Sequence, residues 1–112
     1  MKRIPDKVIV EAVKASSRSN NKYKMGAVIY NKFGIISIGF NKTLYFGPPE
    51  RLPKHHYCIH AEEDTLFGIS RRLLIGSSIF IYRSNNNLAK PCPKCAKLLA
   101  KTGIAKIYYS PI

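Results

Sequence analysis

The sequence predicts an α/β sandwich in which helices pack on a mixed β-sheet. Apolar residues recur at helical spacing in three segments, and four further segments are rich in β-branched and aromatic residues. The predicted order along the 112 residues is α-β-β-α-β-α-β, which is typical of helices that cover a sheet. A chain of this length fits one compact domain, so residues 1–112 are expected to form a single unit.

Three segments carry the helical pattern. The first comprises residues 6–15, with Pro5 near its start and apolar residues three and four positions apart. The second covers about residues 60–69. The third covers residues 91–103, where a proline marks the start and a glycine marks the end.

Four segments are predicted to be strands. Residues 24–30 and 34–40 are β-rich runs separated by three residues, which indicates a hairpin with a short turn. Residues 77–83 and 104–110 are the third and fourth strands. Residues 41–59 contain one glycine and three prolines and lack any periodicity, so they are expected to form a long loop.

The chain is strongly basic. Nineteen Lys and Arg against six Asp and Glu give a formal net charge of +13, and no acid follows Asp64. Such an excess favours phosphate, on a nucleotide or within a nucleic acid, although a solvated basic surface that keeps the protein soluble is the alternative. No apolar run approaches the roughly 18 residues of a membrane span, and the charged first residues lack a secretory signal. A cytoplasmic protein with no membrane partner is therefore expected.

Three residues form a candidate metal site. His60 opens the second predicted helix, while Cys92 and Cys95 open the third. A Cys-x-x-Cys motif at a helix start places two sulfurs one turn apart on the same side, where the helix N-terminus favours thiolates. With one imidazole they make three ligands, which leaves a tetrahedral zinc one open position for an acidic water. One zinc ion per chain is expected.

Glu62 follows the predicted ligand His60 by two residues. At a helix start its carboxylate can point towards the open zinc position without binding the metal. It is expected to take a proton from zinc-bound water and to hand protons to a ring nitrogen and a leaving amine, as hydrolytic deamination requires. Glu63 and Asp64 are not needed for this chemistry and are interpreted as surface or helix-start acids.

Two short motifs, His60-Ala61-Glu62 and Pro91-Cys92-Pro93-Lys94-Cys95, are separated by 28 residues. This pair resembles the zinc signature of the cytidine and deoxycytidylate deaminase superfamily. The resemblance extends from residues 25–29 through Gly39-Phe40-Asn41 to Tyr108-Tyr109-Ser110, and therefore covers most of the chain. It implies a three-layer α-β-α sandwich of the cytidine-deaminase type, in a short version that ends after the fourth strand.

The resemblance also implies which residues bind the substrate. Asn41 matches the asparagine that hydrogen-bonds the substrate's sugar in the family, although it could instead close a turn. The backbone around Ala61 and Pro91 is expected to contact the base edges. Ala27, in the first strand, is the remaining candidate for a contact with the base.

The loop before His60 supplies a candidate phosphate site. Arg51, Lys54 and His56 lie in this loop, and its end must lie beside the metal because it immediately precedes His60. Arginine can hold phosphate oxygens in pairs, whereas lysine acts as a point charge. The substrate's phosphate is therefore expected near these three residues.

Three functions remain open from the sequence. The first is deamination of a free cytosine nucleotide or nucleoside, of the deoxycytidylate or cytidine type. The second is deamination of cytosine or adenine within RNA or single-stranded DNA, which the charge favours. The third is a non-catalytic zinc domain that binds nucleic acid, with Cys58, His55 or His56 as a fourth ligand. Glu62 favours the first two, because a structural zinc site requires no carboxylate there.

The oligomeric state is predicted from the short fold. A chain that ends after four strands leaves a sheet edge and helix faces that a longer relative would cover. The resemblance is to a family that is commonly oligomeric. A homo-oligomer is therefore expected.

Overall fold

The computed structural model describes residues 4–45 and 56–112, with a four-stranded sheet between layers of helices. The helices are α1 (Asp6–Ser17), α2 (Ala61–Leu66), α3 (Arg71–Leu74) and α4 (Pro93–Ala100). The strands are β1 (Met25–Asn31), β2 (Gly34–Phe40), β3 (Lys42–Tyr45), β4 (His56–Ile59), β5 (Ser78–Arg83) and β6 (Lys106–Tyr109). The central sheet has the order β2-β1-β5-β6, in which β5 and β6 are parallel and the other pairs are antiparallel.

The central strands are buried on both faces of the sheet. On one face, Val28 and Phe80 pack in a cluster with residues of α1. On the other face, Ile29, Ile79 and Leu99 pack in a cluster that also takes residues from α2 and α3. Because alternate residues of a strand point to opposite faces, two covered faces require the nearly continuous apolar runs of β1 and β5. The predicted mixed sheet and three-layer α-β-α sandwich are confirmed.

The prediction of a loop over residues 41–59 was wrong at both ends of that segment. Residues 42–45 and 56–59 form β3 and β4, which pair antiparallel as a separate two-stranded sheet with Thr43 opposite Cys58. Four residues are too few to show a period, and the pairing joins segments that are distant in the sequence. Residues 46–55, between these strands, lie outside the described part of the chain.

The second predicted helix is shorter than expected. α2 ends at Leu66, just before Gly68, which adopts a φ of +75° and so departs from helical geometry. A separate turn of helix, α3, then begins after Ser70, whose hydroxyl accepts a hydrogen bond from the Arg72 N–H at 3.3 Å. Serine is a common N-cap residue, which explains why a helix starts here. This helix was not predicted from the sequence.

β2 and β6 form the edges of the central sheet within residues 4–45 and 56–112. In β6, Ile107 and Tyr109 are 38% and 37% exposed, so two apolar side chains lie on the surface beside an unpaired edge. An edge of this kind can pair with a second chain. Self-association nevertheless stays a prediction. Among the described helices, none combines the length and the apolar character that a membrane crossing requires.

Gly39 in β2 determines how closely α2 approaches the sheet. A Cβ atom at this position would lie 2.5 Å from the backbone nitrogen of Thr65 and 2.9 Å from its Cβ. Ser37 adds a contact between the same elements, because its hydroxyl donates a hydrogen bond to the Thr65 carbonyl at 2.7 Å. A side chain at residue 39 would therefore push α2 away from β2.

We expect Gly39→Ala to lower the free energy of unfolding by about 1–3 kcal/mol, because the added methyl group has no space. Ile38→Val is a matched control, since it changes one methyl group at the neighbouring position, where the side chain is 42% exposed. This control is expected to lower the free energy of unfolding by about 0.5 kcal/mol or less. Urea unfolding at equal zinc concentration measures both, and equal midpoints would contradict the close packing of α2 on Gly39.

Candidate metal centre and active site

His60 lies at the junction of β4 and α2. Its backbone is extended, with φ −76° and ψ 154°, so it is the N-cap residue of α2. Its backbone N–H donates a hydrogen bond to Oε1 of Glu63 at 2.9 Å. The imidazole therefore stands at the start of a helix whose first turn contains three acids, Glu62, Glu63 and Asp64.

Cys92 and Cys95 lie at the start of α4. Cys92 is the N-cap residue, with an extended backbone, and Cys95 is in the first turn and fully buried. Pro93 occupies the first helical position, where its fixed φ suits the helix and its missing N–H is not needed. The Pro-Cys-Pro-Lys-Cys sequence thus starts a helix and holds two thiols at its N-terminus.

The structure brings the three predicted ligands together. Sγ of Cys92 and Sγ of Cys95 lie 3.8 Å and 3.3 Å from Nδ1 of His60. All three atoms lie within 4.8 Å of one another, and neither thiol forms a disulfide. Tetrahedral zinc, with its usual bond lengths, would separate nitrogen from sulfur by about 3.6 Å. The observed distances bracket this value, so the cluster fits a zinc ion.

Glu62 is buried beside this cluster, with 2% of its surface exposed. Burial raises the pKa of its carboxyl group above the ordinary value. Its backbone N–H, the charge of His60 and the neighbouring Cys95 thiol act in the opposite direction. A carboxyl group in this position adjoins the candidate ligands, and a raised pKa suits a group that both accepts and donates protons near neutral pH.

Burial also affects the Cys95 thiol. Its pKa is raised because burial disfavours the thiolate, and the nearby Glu62 and Cys92 add to the effect. A dication held by the three residues would let a coordinating thiol deprotonate. The distances and the donor set of one imidazole and two thiols therefore fit a zinc site.

Asn41 lies directly after β2 and is 6% exposed. Its Oδ1 accepts a hydrogen bond from the Met25 N–H at 2.8 Å, and its Nδ2 donates one to the Tyr23 carbonyl at 2.6 Å. Asn41 therefore ties the beginning of β1 to the end of β2. Each side-chain atom keeps a second hydrogen-bonding position, and the role of Asn41 in sugar binding stays a prediction.

The other candidate substrate residues lie close to these elements. Ala27 and Ala61 are fully buried and belong to the same apolar cluster, on the face of the sheet that α2 and α4 cover. Pro91 is half-buried and directly precedes Cys92. Contact of these three residues with a base stays a prediction.

The candidate phosphate residues fall mainly outside the described part of the chain. Arg51 and Lys54 are outside it, as is His55, while the backbone of His56 opens β4 opposite Tyr45. Cys58, which was considered as a fourth zinc ligand, is exposed and accepts a hydrogen bond from Nδ2 of Asn21 at 3.1 Å. It is not part of the metal-ligating cluster found in the described residues.

Glu63 and Asp64 have partners that the sequence did not reveal. Oε2 of Glu63 lies 3.6 Å from Nζ of Lys94, in the first turn of α4. Oδ2 of Asp64 accepts the Phe40 N–H at 3.0 Å, and Oδ1 lies 3.0 Å from Nζ of Lys42. The available signal was an acid at the third position of a helix, which commonly reaches back to the N-cap N–H.

Comparisons with known proteins agree with this geometry. Residues 3–111 match the family model described as the cytidine and deoxycytidylate deaminase zinc-binding region. An uncharacterised deaminase in the luxG 3′ region of Aliivibrio fischeri is 33% identical over 90 residues, which are 76% of this chain and 56% of that protein. The chain thus spans little more than half the length of this curated relative.

Solved structures extend the similarity to the fold. The apo form of dCMP deaminase from the cyanophage S-TIM5 is 26% identical, with a TM-score of 0.68 over 93% of this chain and 79% of that one. For cytidine deaminase from Burkholderia pseudomallei the identity is 20% and the TM-score 0.62, over 90% of this chain and 78% of that one, which shows a shared fold. The chain therefore belongs to the cytidine and deoxycytidylate deaminase family.

Proposed function

We propose that this protein is a zinc-dependent deaminase that converts a cytosine nucleotide or nucleoside into the uracil product. The observation that carries the proposal is the buried carboxyl group of Glu62 beside His60, Cys92 and Cys95. A structural zinc site does not require a carboxylate there, whereas hydrolytic deamination requires a group that moves protons. Membership of the deaminase family supports the reaction class.

In this proposal each residue has a separate task. His60, Cys92 and Cys95 would hold the zinc, which when bound acts as a Lewis acid and lowers the pKa of water. Glu62 accepts a proton from the attacking water and passes protons to the ring nitrogen and to the amine that leaves as ammonia. Its burial keeps bulk water from competing for these protons.

One zinc ion per chain is the first testable consequence. Metal analysis of the purified protein is expected to give one zinc, and Cys92→Ser is expected to lose most of it on dialysis against a chelator. Cys58→Ser is the matched control, because this thiol is exposed and outside the cluster. Two zinc ions per chain in the wild type would show that the segment with His55, His56 and Cys58 also binds metal.

The second consequence concerns catalysis. Glu62→Gln keeps the size of the buried side chain but removes its basic oxygen, so kcat is expected to fall by about 10²–10⁴-fold. Zinc content and the circular dichroism spectrum should remain those of the wild type. Glu11→Gln is the control, because this acid lies on α1 and pairs with Lys14 at 3.9 Å. Wild-type turnover in the Glu62 variant would refute the assigned mechanism.

The finer proposal is that the substrate is a mononucleotide such as dCMP. Its support is the charge of +13 and the similarity to a phage dCMP deaminase at 26% identity. The 5′-phosphate is proposed to meet Arg51, Lys54 and His56, which lie four to nine residues before the candidate ligand His60. A deamination assay across dCMP, CMP, cytidine, deoxycytidine and short oligonucleotides establishes the substrate.

If a mononucleotide is the substrate, Arg51→Ala or Lys54→Ala is expected to raise KM for the nucleotide several-fold and hardly change KM for the nucleoside. The reason is that only the nucleotide carries the phosphate that these cations would bind. Lys14→Ala, on an exposed position of α1, is the control for loss of a surface charge. Unchanged KM values in the loop variants would place the phosphate site elsewhere.

A second candidate function, deamination within RNA or single-stranded DNA, is favoured by a row of lysines. Lys94, Lys97 and Lys101 lie three and four residues apart along α4 and its C-cap, and all three are exposed. Together with Leu98 they line a shallow groove. If an oligonucleotide is the substrate, Lys97→Gln should reduce the salt dependence of binding by about one unit. A mononucleotide substrate predicts no such change.

A further inference from the structure

Glu63 contacts one residue at each of the two helix starts that carry the candidate ligands. Its Oε1 accepts the backbone N–H of His60 at 2.9 Å. Its Oε2 lies 3.6 Å from Nζ of Lys94, which stands between Cys92 and Cys95 in the sequence. The side chain is only 20% exposed, so solvent screens these contacts in part.

We propose that Glu63 is a positioning residue that fixes the backbone of His60 at the start of α2, so that the imidazole stays at the distance from Cys92 and Cys95 that a zinc ion requires. Its function is then to raise the affinity for the metal, while Glu62 performs the proton transfers. This inference rests on the proposed function, because zinc is part of it. It assigns a task to a residue that the chemistry itself does not need.

The candidate ligands are far apart along the chain. Cys92 is 32 residues and Cys95 is 35 residues away from His60. Both cysteines stand at the start of α4, whereas His60 stands at the start of α2. Their separation therefore depends on how the first turn of α2 is held against the first turn of α4. The Glu63 carboxylate fixes the backbone of His60 in the first of these turns and lies within ion-pair distance of Lys94 in the second.

The two contacts are not expected to contribute equally. The Lys94 side chain is 68% exposed, and ion pairs with so much solvent access contribute little. Loss of the other contact leaves the His60 N–H without its helix-capping partner, directly at the backbone of a candidate ligand. The hydrogen bond to His60 should therefore carry most of the effect.

A negative charge near a dication can also raise its affinity without positioning anything. Asp64 allows this to be tested, because it is the next residue in the same turn and its side chain is 22% exposed. Its carboxylate contacts the Phe40 N–H and Lys42, whereas that of Glu63 contacts the two helix starts that carry the ligands. Asp64→Asn removes the same charge from the same turn and leaves both Glu63 contacts in place.

The experiment is a zinc affinity series, measured by chelator competition on the full chain. Glu63→Ala is expected to weaken zinc binding about tenfold, as loss of a group that orients a ligand does. Glu63→Gln keeps a hydrogen-bond acceptor for His60, and Lys94→Met keeps Glu63 itself. Each of these two variants should weaken zinc binding by about threefold or less. Asp64→Asn should bind zinc as the wild type does.

Two further measurements separate positioning from stability. The cobalt-substituted Glu63→Ala protein should show a changed absorption spectrum, because the ligands are no longer held at the same geometry. Thermal unfolding of the zinc-free proteins reports the loss of the helix cap alone. A lower unfolding temperature with unchanged zinc affinity in Glu63→Ala would overturn the proposal, since Glu63 would then act only as a cap.

Equal losses of zinc affinity in Glu63→Ala and Asp64→Asn would also overturn it, because charge alone would then explain the effect. None of these readouts needs turnover. If no substrate is deaminated, the proposed function fails, while the affinity series still decides the role of Glu63.

Discussion

The structure depends on the meeting of two helix N-termini at one buried point. His60 is the N-cap of α2 and Cys92 is the N-cap of α4, and both helices cover the same face of the sheet. Helix N-termini favour negative charge, and the first turns here hold two thiols and a buried carboxyl group. A dication held at this point would let the thiols deprotonate and would link the starts of the two helices.

The three consecutive acids in the first turn of α2 contact three different parts of the structure. Successive residues of an α-helix are rotated by about 100°, so adjacent side chains point in different directions. Glu62 is buried beside the thiols, Glu63 reaches Lys94 of α4, and Asp64 reaches the end of β2. The close approach of α2 to Gly39 makes these short contacts feasible. An acidic run that looks like a solvated helix start is in fact the point where helix, sheet and metal cluster are joined.

The features that the sequence predicted are those with a local signal. Helical spacing, the apolar β1 and β5, and the two motifs that open helices were enough to predict the sandwich and to bring His60, Cys92 and Cys95 together. The pairing of β3 with β4 was missed, because strands of four residues show no period and join distant segments. The contact between Glu63 and Lys94 was missed for the same reason: it joins two helices that are distant in the sequence, and the residue spacing within one helix does not predict such a contact.

The acids beside the metal cluster and the net positive charge of the chain act over different distances, so they do not conflict. Half of the six acids lie in the first turn of α2, within a chain of net charge +13, and two of them pair with Lys94 and Lys42. At physiological ionic strength charges are screened beyond about 8 Å. A cation at the cluster would therefore interact chiefly with its own ligands and with Glu62, whereas the excess of basic residues acts on an anion that approaches the surface. One small domain can thus combine a cation site with a basic surface that attracts the phosphate of the proposed mononucleotide substrate.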